Sequence, residues 1–151
     1  MVKVRVIREA DSDPSIPLPC YETAGAAGAD VRANLPDRVP IMLAPGQRIL
    51  VPTGLRVEIP KGYEIQVRPR SGLALKHGIT LPNSPGTIDS DYRGPLGIIV
   101  MNAGQDPFEV VHGERIAQLV IAPVIQAVFE PATALAETDR GSGGFGSTGR
   151  Y

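Results

Sequence analysis

The amino-acid sequence predicts an all-β sandwich or barrel-like domain, and three observations support this prediction. Apolar and polar residues alternate along short runs, as in segment 2–6, where every second residue is valine. Turn-forming pairs recur between these runs, as at Pro45-Gly46 and Lys61-Gly62. With 17 glycines and 15 prolines among 151 residues, the composition fits a domain with many short strands and many turns.

Seven segments have the apolar and β-branched character of strands. In chain order they are 2–6, 46–52, 55–60, 63–68, 97–102, 108–111 and 115–124. Segment 97–102 is apolar throughout, so we expect it to be buried on both faces. Prolines end two of the runs, at Pro52 and Pro60.

The remaining segments are predicted to be one short helix, one tightly packed stretch and a tail. The helix is expected over 71–78, because it has serine near its start, glycine at its end and basic residues in its last turn. Segment 25–33 consists mainly of glycine and alanine, which indicates close packing or close backbone approach. From residue 139 the chain is glycine-rich without hydrophobic periodicity, so we expect a β domain over 1–138 and a mobile tail over 139–151.

Charge and cysteine content exclude several classes of function. Hydrophobic residues make up 42% of the chain, charged residues 21%, and the net charge is -1, which is typical of a soluble globular protein. This balance predicts no binding of nucleic acid and no association with a membrane. Cys20 is the only cysteine, so no intrachain disulfide and no thiolate zinc site can form. The N-terminus lacks the apolar core of a signal peptide, and we expect a cytoplasmic protein.

Segment Gly86–Gly94 concentrates the residue types that carry chemistry. It places two carboxylates, one aromatic ring and one guanidinium between glycines, at what is predicted to be the tip of a β-hairpin. The alternative interpretation is a solvated hairpin tip. A calcium loop is rejected, because Arg93 takes a ligand position and no glutamate follows at the required distance.

Two further segments could bind an anion. Arg70 and Ser71 open the predicted helix, where free N–H groups, a hydroxyl and a guanidinium could hold phosphate, although a simple helix cap is equally compatible. Segment Gly141–Gly146 matches G-x-G-x-x-G, but the chain ends five residues later, so a dinucleotide-binding fold is rejected. This tail can still offer backbone N–H groups, and an ordinary disordered tail is the alternative.

Five segments together resemble the five motifs of the trimeric dUTP pyrophosphatases (dUTPases), in the same order along the chain. They are Ala27–Val31, Arg68–Leu73, Gly86–Gly94, Gly113–Leu119 and Arg140–Gly149. The resemblance spans nearly the whole chain, and its third and fifth motifs are highly specific. It departs from the family pattern at three positions, which are Ala29, Val31 and Thr87.

The resemblance implies a fold, a reaction and a cofactor. The fold is a β-sandwich or distorted barrel of the β-clip, jelly-roll-like kind. The reaction is the magnesium-dependent hydrolysis of dUTP to dUMP and diphosphate, which supplies dUMP for dTTP synthesis and keeps uracil out of DNA. Asp89 matches the aspartate that orients the attacking water towards the α-phosphate.

The resemblance also assigns substrate contacts. Magnesium is held mainly by the triphosphate, and Asp30 matches a residue that reaches it through water. A tyrosine that excludes a 2′-hydroxyl is matched by Tyr92, and a ring that stacks over uracil is matched by Phe145. The remaining expected substrate-binding residues are Arg70, Ser71, Gly72, Asn83, Thr87, Ile88, Gly97, Gln118, Arg140, Ser147 and Thr148.

Members of this family are homotrimers in which three subunits build each active site, and the same assembly is expected here. Two other functions remain open at this point. One is a dCTP deaminase of the same fold, which would release ammonia from dCTP. The other is a non-catalytic nucleotide-binding trimer, which would not turn over dUTP.

Overall fold

The structure, a computed structural model, describes residues 1–147 and 149, and these residues form eleven strands, one α-helix and one short 3-10 helix. The 3-10 helix spans Pro36–Arg38 and the α-helix, α1, spans Ser71–His77. The strands are β1 (Arg5–Arg8), β2 (Ala29–Arg32), β3 (Ile41–Leu43), β4 (Arg48–Pro52), β5 (Leu55–Glu58), β6 (Tyr63–Arg68), β7 (Ile79–Thr80), β8 (Gly86–Ile88), β9 (Gly97–Asn102), β10 (Phe108–Val110) and β11 (Arg115–Pro123).

The strands pair into four antiparallel sheets. The largest has the order β2-β11-β6-β8, and a three-stranded sheet has the order β4-β9-β7. Two ribbons, β1-β5 and β10-β3, complete the arrangement. The sheets of the described residues do not close into a barrel, which agrees with the predicted all-β sandwich.

A single apolar core joins these sheets. Its most deeply buried side chains come from strands of different sheets: Val31, Leu43, Val51, Ile65, Ile98, Val100 and Val110. Because each strand alternates its side chains between two faces, the short strands place one apolar row inward and leave the other row for solvent or partners. The core therefore fixes the position of the large sheet, and residues of the candidate site lie at both ends of that sheet.

The predicted hairpin at 86–94 is wrong. Strand β8 pairs with β6, with Ile88 opposite Ile65, whereas β9 pairs with β4 and β7 in another sheet. The segment between β8 and β9 is therefore a connection from one sheet to the other. Two strands around a charged turn are expected in the sequence of a hairpin and of a connection between sheets. The sequence alone does not distinguish them, because packing in the core determines which strands pair.

The prediction that 97–102 is buried on both faces is also wrong. Ile98, Val100 and Asn102 are buried, whereas Ile99 and Met101 are only partly buried. Asn102 takes the last inward position because its side chain donates to the carbonyl oxygens of Leu43 and Asp106 and accepts from the N–H of Gly104. The apolar side chains of Ile99 and Met101 on the outer face of β9 are compatible with contact to another protein chain.

The other element predictions are confirmed with shifted ends. The first strand begins at Arg5 and not at residue 2, and β5 ends at Glu58. Helix α1 forms where it was predicted, and Gly78 ends it in the left-handed conformation, with φ 69°. Four short strands, β2, β3, β7 and β8, were not predicted, and β2 lies within the glycine- and alanine-rich segment 25–33.

None of the helices formed by residues 1–147 and 149 has the length and hydrophobicity needed to cross a bilayer. After β11 the described residues form no further helix or strand. The expected boundary between a domain and a tail at 138/139 stays a prediction.

Candidate functional site

A buried carboxylate between two guanidinium groups lies at one end of the large sheet. Asp30, on β2, is only 6% exposed, and its Oδ1 accepts from Nε of Arg70 at 3.2 Å. Its Oδ2 accepts from Nη1 of Arg115 at 3.0 Å. Arg70 also donates through Nη1 to the backbone oxygen of Arg115, at 3.2 Å. We call Asp30, Arg70 and Arg115 the arginine cluster, and charge pairing at this depth gives it a fixed geometry.

Gln118 lies beside the arginine cluster because of the strand register. On β11 it stands opposite Asp30 of β2 on one side and opposite Arg68 of β6 on the other. The chain then leaves β6 at Arg68 and reaches Arg70 and Ser71 two and three residues later. Three separate predicted motifs therefore meet at one end of the sheet.

Helix α1 begins at this same end. Arg70 is its N-cap residue, without a side-chain cap bond, and Ser71 and Gly72 follow as exposed residues in the first turn. The first N–H groups of a helix have no partner inside the helix, and they carry partial positive charge. The exposed turn and the arginine cluster together form a surface that suits phosphate oxygens.

A second group of predicted residues lies in the connection between β8 and β9. Asp89 and Tyr92 are exposed there, and the Tyr92 N–H donates to the Asp89 carbonyl oxygen at 3.2 Å. Arg93 holds the connection together, because its Nη1 donates to the backbone oxygens of Ser90, at 2.7 Å, and of Tyr92, at 2.8 Å. Arg93 thereby has a structural function in this segment.

The ring of Tyr92 folds back over Gly94. Its hydroxyl donates to the Pro95 carbonyl oxygen at 3.0 Å, and a Cβ at position 94 would collide with the hydroxyl oxygen. Glycine at 94 is therefore required for the ring to take this position. Asp89 borders a cleft of about 860 Å³, whose other walls include Tyr63, Asp91 and Gln126.

The predicted base contacts lie around β8 and the start of β9. Asn83 is exposed, and its Nδ2 would lie 3.0 Å from a Cβ at Gly86. Thr87 is exposed and Ile88 is buried, as alternation along β8 requires. Gly97 stands opposite Pro52, where a Cβ would collide with the Leu50 side chain at 2.7 Å.

Within one chain, the two groups lie at opposite ends of β6. Asp89 follows Ile88, which stands opposite Ile65, whereas Arg70 lies five residues beyond Ile65 in the other direction. At about 3.3 Å per residue, the register puts about 20 Å between the backbones of Asp89 and Arg70. The Arg70 side chain moreover points to Asp30 on β2, away from β8. The structure therefore brings Asp30, Arg70, Ser71 and Gln118 together and leaves Asp89 apart from them.

The predicted tail residues make only local contacts among the described residues. Arg140 donates through Nε to the Gly143 oxygen at 2.8 Å, and Ser147 donates through its N–H to the Gly144 oxygen at 3.0 Å. Phe145 is fully exposed, with a positive φ of 49°. Thr148, also predicted as a substrate contact, lies outside the described residues.

Arg115 is the residue that sequence reasoning missed. It lies within the fourth motif, but no function was assigned to it. It also contacts Glu22, with 3.4 Å between Nη1 and Oε1. The motif offered a hint, an arginine three residues before the predicted phosphate contact Gln118, but its pairing with Asp30 depends on a strand, β2, that was not predicted.

Cys20 lies next to this cluster but is not activated. Its backbone bridges to Asp30, and its thiol donates to the Glu22 carboxylate at 3.4 Å. This hydrogen bond to the Glu22 carboxylate raises the pKa of Cys20 above its ordinary value. Because the thiolate is the reactive form, Cys20 is a poor nucleophile.

Relatives of known name match nearly the whole chain. The family model described as dUTPase matches residues 14–149. A protein of Roseobacter denitrificans named deoxyuridine 5'-triphosphate nucleotidohydrolase is 70% identical over 138 residues, which are 91% of this chain and 90% of that protein. A protein of the same name from Dinoroseobacter shibae is 62% identical over 150 residues, which are 97% of each chain.

Solved structures of dUTPases share the fold. The dUTPase of Staphylococcus bacteriophage 80alpha with dUPNHPP has a TM-score of 0.84 at 24% identity and covers 97% of this chain and 98% of its own. A mutant dUTPase from phage phi11 of S. aureus has a TM-score of 0.74 at 21% identity and covers 87% of this chain and 97% of its own. The fold, the matched length and the identity to named relatives agree, and the chain belongs to the dUTPase family.

Proposed function

We infer that this chain hydrolyses dUTP to dUMP and diphosphate. One observation carries this inference, which is the 70% identity over 91% of the chain to a relative named deoxyuridine 5'-triphosphate nucleotidohydrolase. The matched family region, 14–149, includes every residue predicted for the site. The protein is thus a dUTP diphosphatase, and the cytoplasmic location expected from the sequence belongs to the same proposal.

Asp89 orients the attacking water. Its carboxylate is exposed beside a cleft, at the end of a connection that Arg93 holds by two backbone contacts. A carboxylate in a fixed position can accept a hydrogen bond from a water molecule and align the oxygen of that water with the α-phosphorus. The exposure of Asp89 suits a group that meets substrate.

The arginine cluster and α1 bind the triphosphate. Arg70 offers guanidinium donors, Ser71 a hydroxyl, Gly72 an N–H in the first turn of α1, and Gln118 an amide. Arg140 and the hydroxyls of Ser147 and Thr148 add donors from the tail. Because the net charge of the chain is only -1, these local groups provide the attraction for a triphosphate.

The base and sugar are selected near β8. Asn83, with backbone groups of Gly97, reads the uracil edge, and Thr87 and Ile88 border it. Tyr92 lies under the deoxyribose, where its ring leaves no space for a 2′-hydroxyl. From the tail, Phe145 stacks over the uracil and excludes water.

Magnesium is brought mainly by the triphosphate. The structure of the phage phi11 enzyme concerns the coordination of a structural Mg(II) ion. In residues 1–147 and 149, no group of three His, Cys, Asp or Glu side chains is placed to hold a metal ion. Both Asp30 oxygens face guanidinium groups, so its predicted water-mediated contact with the metal stays a prediction. Bound magnesium would neutralise phosphate charge.

A homotrimer with shared sites is part of this proposal. Within one chain, the strand register separates the backbones of Asp89 and Arg70 by about 20 Å, and the Arg70 side chain points to Asp30, away from β8. This separation supports a site to which different protomers contribute Asp89 and Arg70. Four apolar side chains after β11 are also almost fully exposed and suit a neighbouring protomer: Ile125, Val128, Phe129 and Leu135.

The function is tested by incubating the protein with dUTP, dTTP, dCTP and UTP in the presence of magnesium. We expect diphosphate from dUTP and at most traces from the other three. Ammonia from dCTP would identify a deaminase, and binding of dUTP without turnover would identify a non-catalytic binder. Either result would overturn the proposed function.

A further inference from the structure

Gly28 lies directly before β2 and leaves space for the side chain of Gln118. A Cβ built at position 28 would lie 3.0 Å from the Cβ of Gln118, 3.1 Å from its Oε1 and 3.4 Å from its Cδ. Non-bonded carbon atoms prefer separations of about 3.5–4.0 Å. A methyl group at position 28 would therefore push the Gln118 side chain out of its present position.

The backbone at position 28 does not itself require glycine. Its φ is not among the positive values found at other glycines of this chain. Gly25, three residues earlier in the same segment, has no heavy atom within 4 Å of its added Cβ. The two glycines therefore differ in the space around them, and Gly25 is a matched control.

Gln118 cannot retreat by moving its backbone. It lies on β11, which is paired on one side with β2 and on the other with β6. Its Cβ is fixed by this double pairing, so a small shift of the bend at position 28 must relieve the contact with the Gln118 Cβ, and rotation of the amide must relieve the contacts with Cδ and Oε1. Rotation would change the direction of the amide relative to the arginine cluster.

We propose that Gly28 is a positioning residue, which keeps the Gln118 amide directed at the substrate phosphates. This proposal rests on the proposed function, in which Gln118 binds the triphosphate. It adds that Gly28, in the first motif, acts on Gln118, in the fourth motif, across the pairing of β2 with β11.

The experiment compares Gly28→Ala with Gly25→Ala in the full-length enzyme. A displaced hydrogen bond to a charged phosphate costs about tenfold or more in affinity, so we expect Gly28→Ala to weaken dUpNHpp binding by about tenfold. Inhibition by deoxyuridine, which has no phosphate, should stay unchanged. Gly25→Ala should match the wild type with both ligands, and all three proteins should melt at similar temperatures.

A double-mutant cycle tests whether the effect passes through Gln118. In a Gln118→Ala background, Gly28→Ala should cause no further loss, because no amide remains to displace. Additive losses of dUpNHpp affinity in the double variant would overturn the proposal, and so would equal dUpNHpp affinity in Gly28→Ala and Gly25→Ala. Weaker inhibition of Gly28→Ala by deoxyuridine, or a lower melting temperature in that variant alone, would also overturn it. A wild type that does not hydrolyse dUTP would instead overturn the proposed function.

Discussion

Asp89 and Asp91 are two exposed carboxylates in the same connection, and only one of them is proposed to orient water. Replacing Asp89 by Asn keeps the shape but removes the charge that accepts the proton of the attacking water. We expect Asp89→Asn to lower kcat by about a hundredfold or more, the range found for general bases, while dUpNHpp still binds. Diphosphate release under saturating dUTP measures this.

Asp91→Asn is the matched control for that experiment. It removes the same charge two residues away, beside the same cleft. Turnover should stay close to that of the wild type. If both variants lose the same activity, the effect comes from the charge of the segment, and Asp89 has no special function.

Tyr92 is predicted to set sugar selectivity through its ring. The ring is held over Gly94 and by the hydroxyl bond to Pro95. We expect Tyr92→Ala to raise kcat/KM for UTP relative to dUTP, because the space for a 2′-hydroxyl opens. Tyr92→Phe keeps the ring and should keep the selectivity. An unchanged ratio in Tyr92→Ala would mean that the sugar is recognised elsewhere.

At the scale of elements, the network around Asp13 connects the N-terminal segment to the turn before β11. Asp13 accepts from the hydroxyl and the N–H of Ser15 and from Nε2 of His112, and it pairs with Arg38. The His112 Nδ1 accepts the Leu35 N–H, so Nε2 carries the proton. The Ser15 hydrogen bonds, with smaller contributions from His112 and Arg38, hold the pKa of Asp13 well below its usual range.

This shift predicts how stability depends on pH. A carboxyl with a lowered folded-state pKa stabilises the fold above its unfolded pKa, which is about 3.9, and this contribution is lost as pH falls. Asp13→Asn should therefore lower the melting temperature at neutral pH, and its difference from wild type should shrink at acid pH. Asp11→Asn, which changes an exposed residue of the same segment, should have no effect. A difference that grows with acidity would contradict the assignment.

The tail is an element whose removal should affect catalysis and not stability. Residues 140–147 make local hydrogen bonds, and none of them belongs to the apolar core. We expect deletion of 140–151 to reduce kcat strongly and to leave the melting temperature almost unchanged. Hydrogen exchange of the tail amides should slow when dUpNHpp binds. Equal protection with and without the analogue would contradict a closing tail.

Some elements could be predicted from the sequence and others could not. Helix α1 was predictable because Gly78 and the basic last turn are local signals, and β6 because its alternation is local. Strand β2 was not, since it has only four residues, two of them charged, and its pairing with β11 is a tertiary contact. The motifs likewise indicate Asp89 and Arg70 as candidate site residues, which stay predictions. The contact between Arg115 and Asp30 could not be predicted, because it depends on the pairing of β2 with β11.

At the scale of the whole molecule, the residues proposed for one site lie apart within one chain. The arginine cluster and Asp89 lie at opposite ends of β6, and the exposed apolar residues after β11 lack a core of their own. Closed oligomers with identical contacts place the same two surfaces together at every interface. Every interface of the proposed trimer would thus complete one site.

The most direct test of this account is complementation between two inactive chains. Asp89→Asn and Arg70→Ala are each expected to be inactive as homotrimers. The two variants are unfolded and refolded together in equal amounts. If Asp89 and Arg70 of one site come from different protomers, about a quarter of the sites then receive both residues intact, because each residue is intact in about half of the protomers. The mixture should therefore regain about a quarter of the wild-type activity. Mixing the folded trimers without exchange should restore none. Full inactivity of the co-refolded trimers would show that each site lies within one chain and would contradict the account.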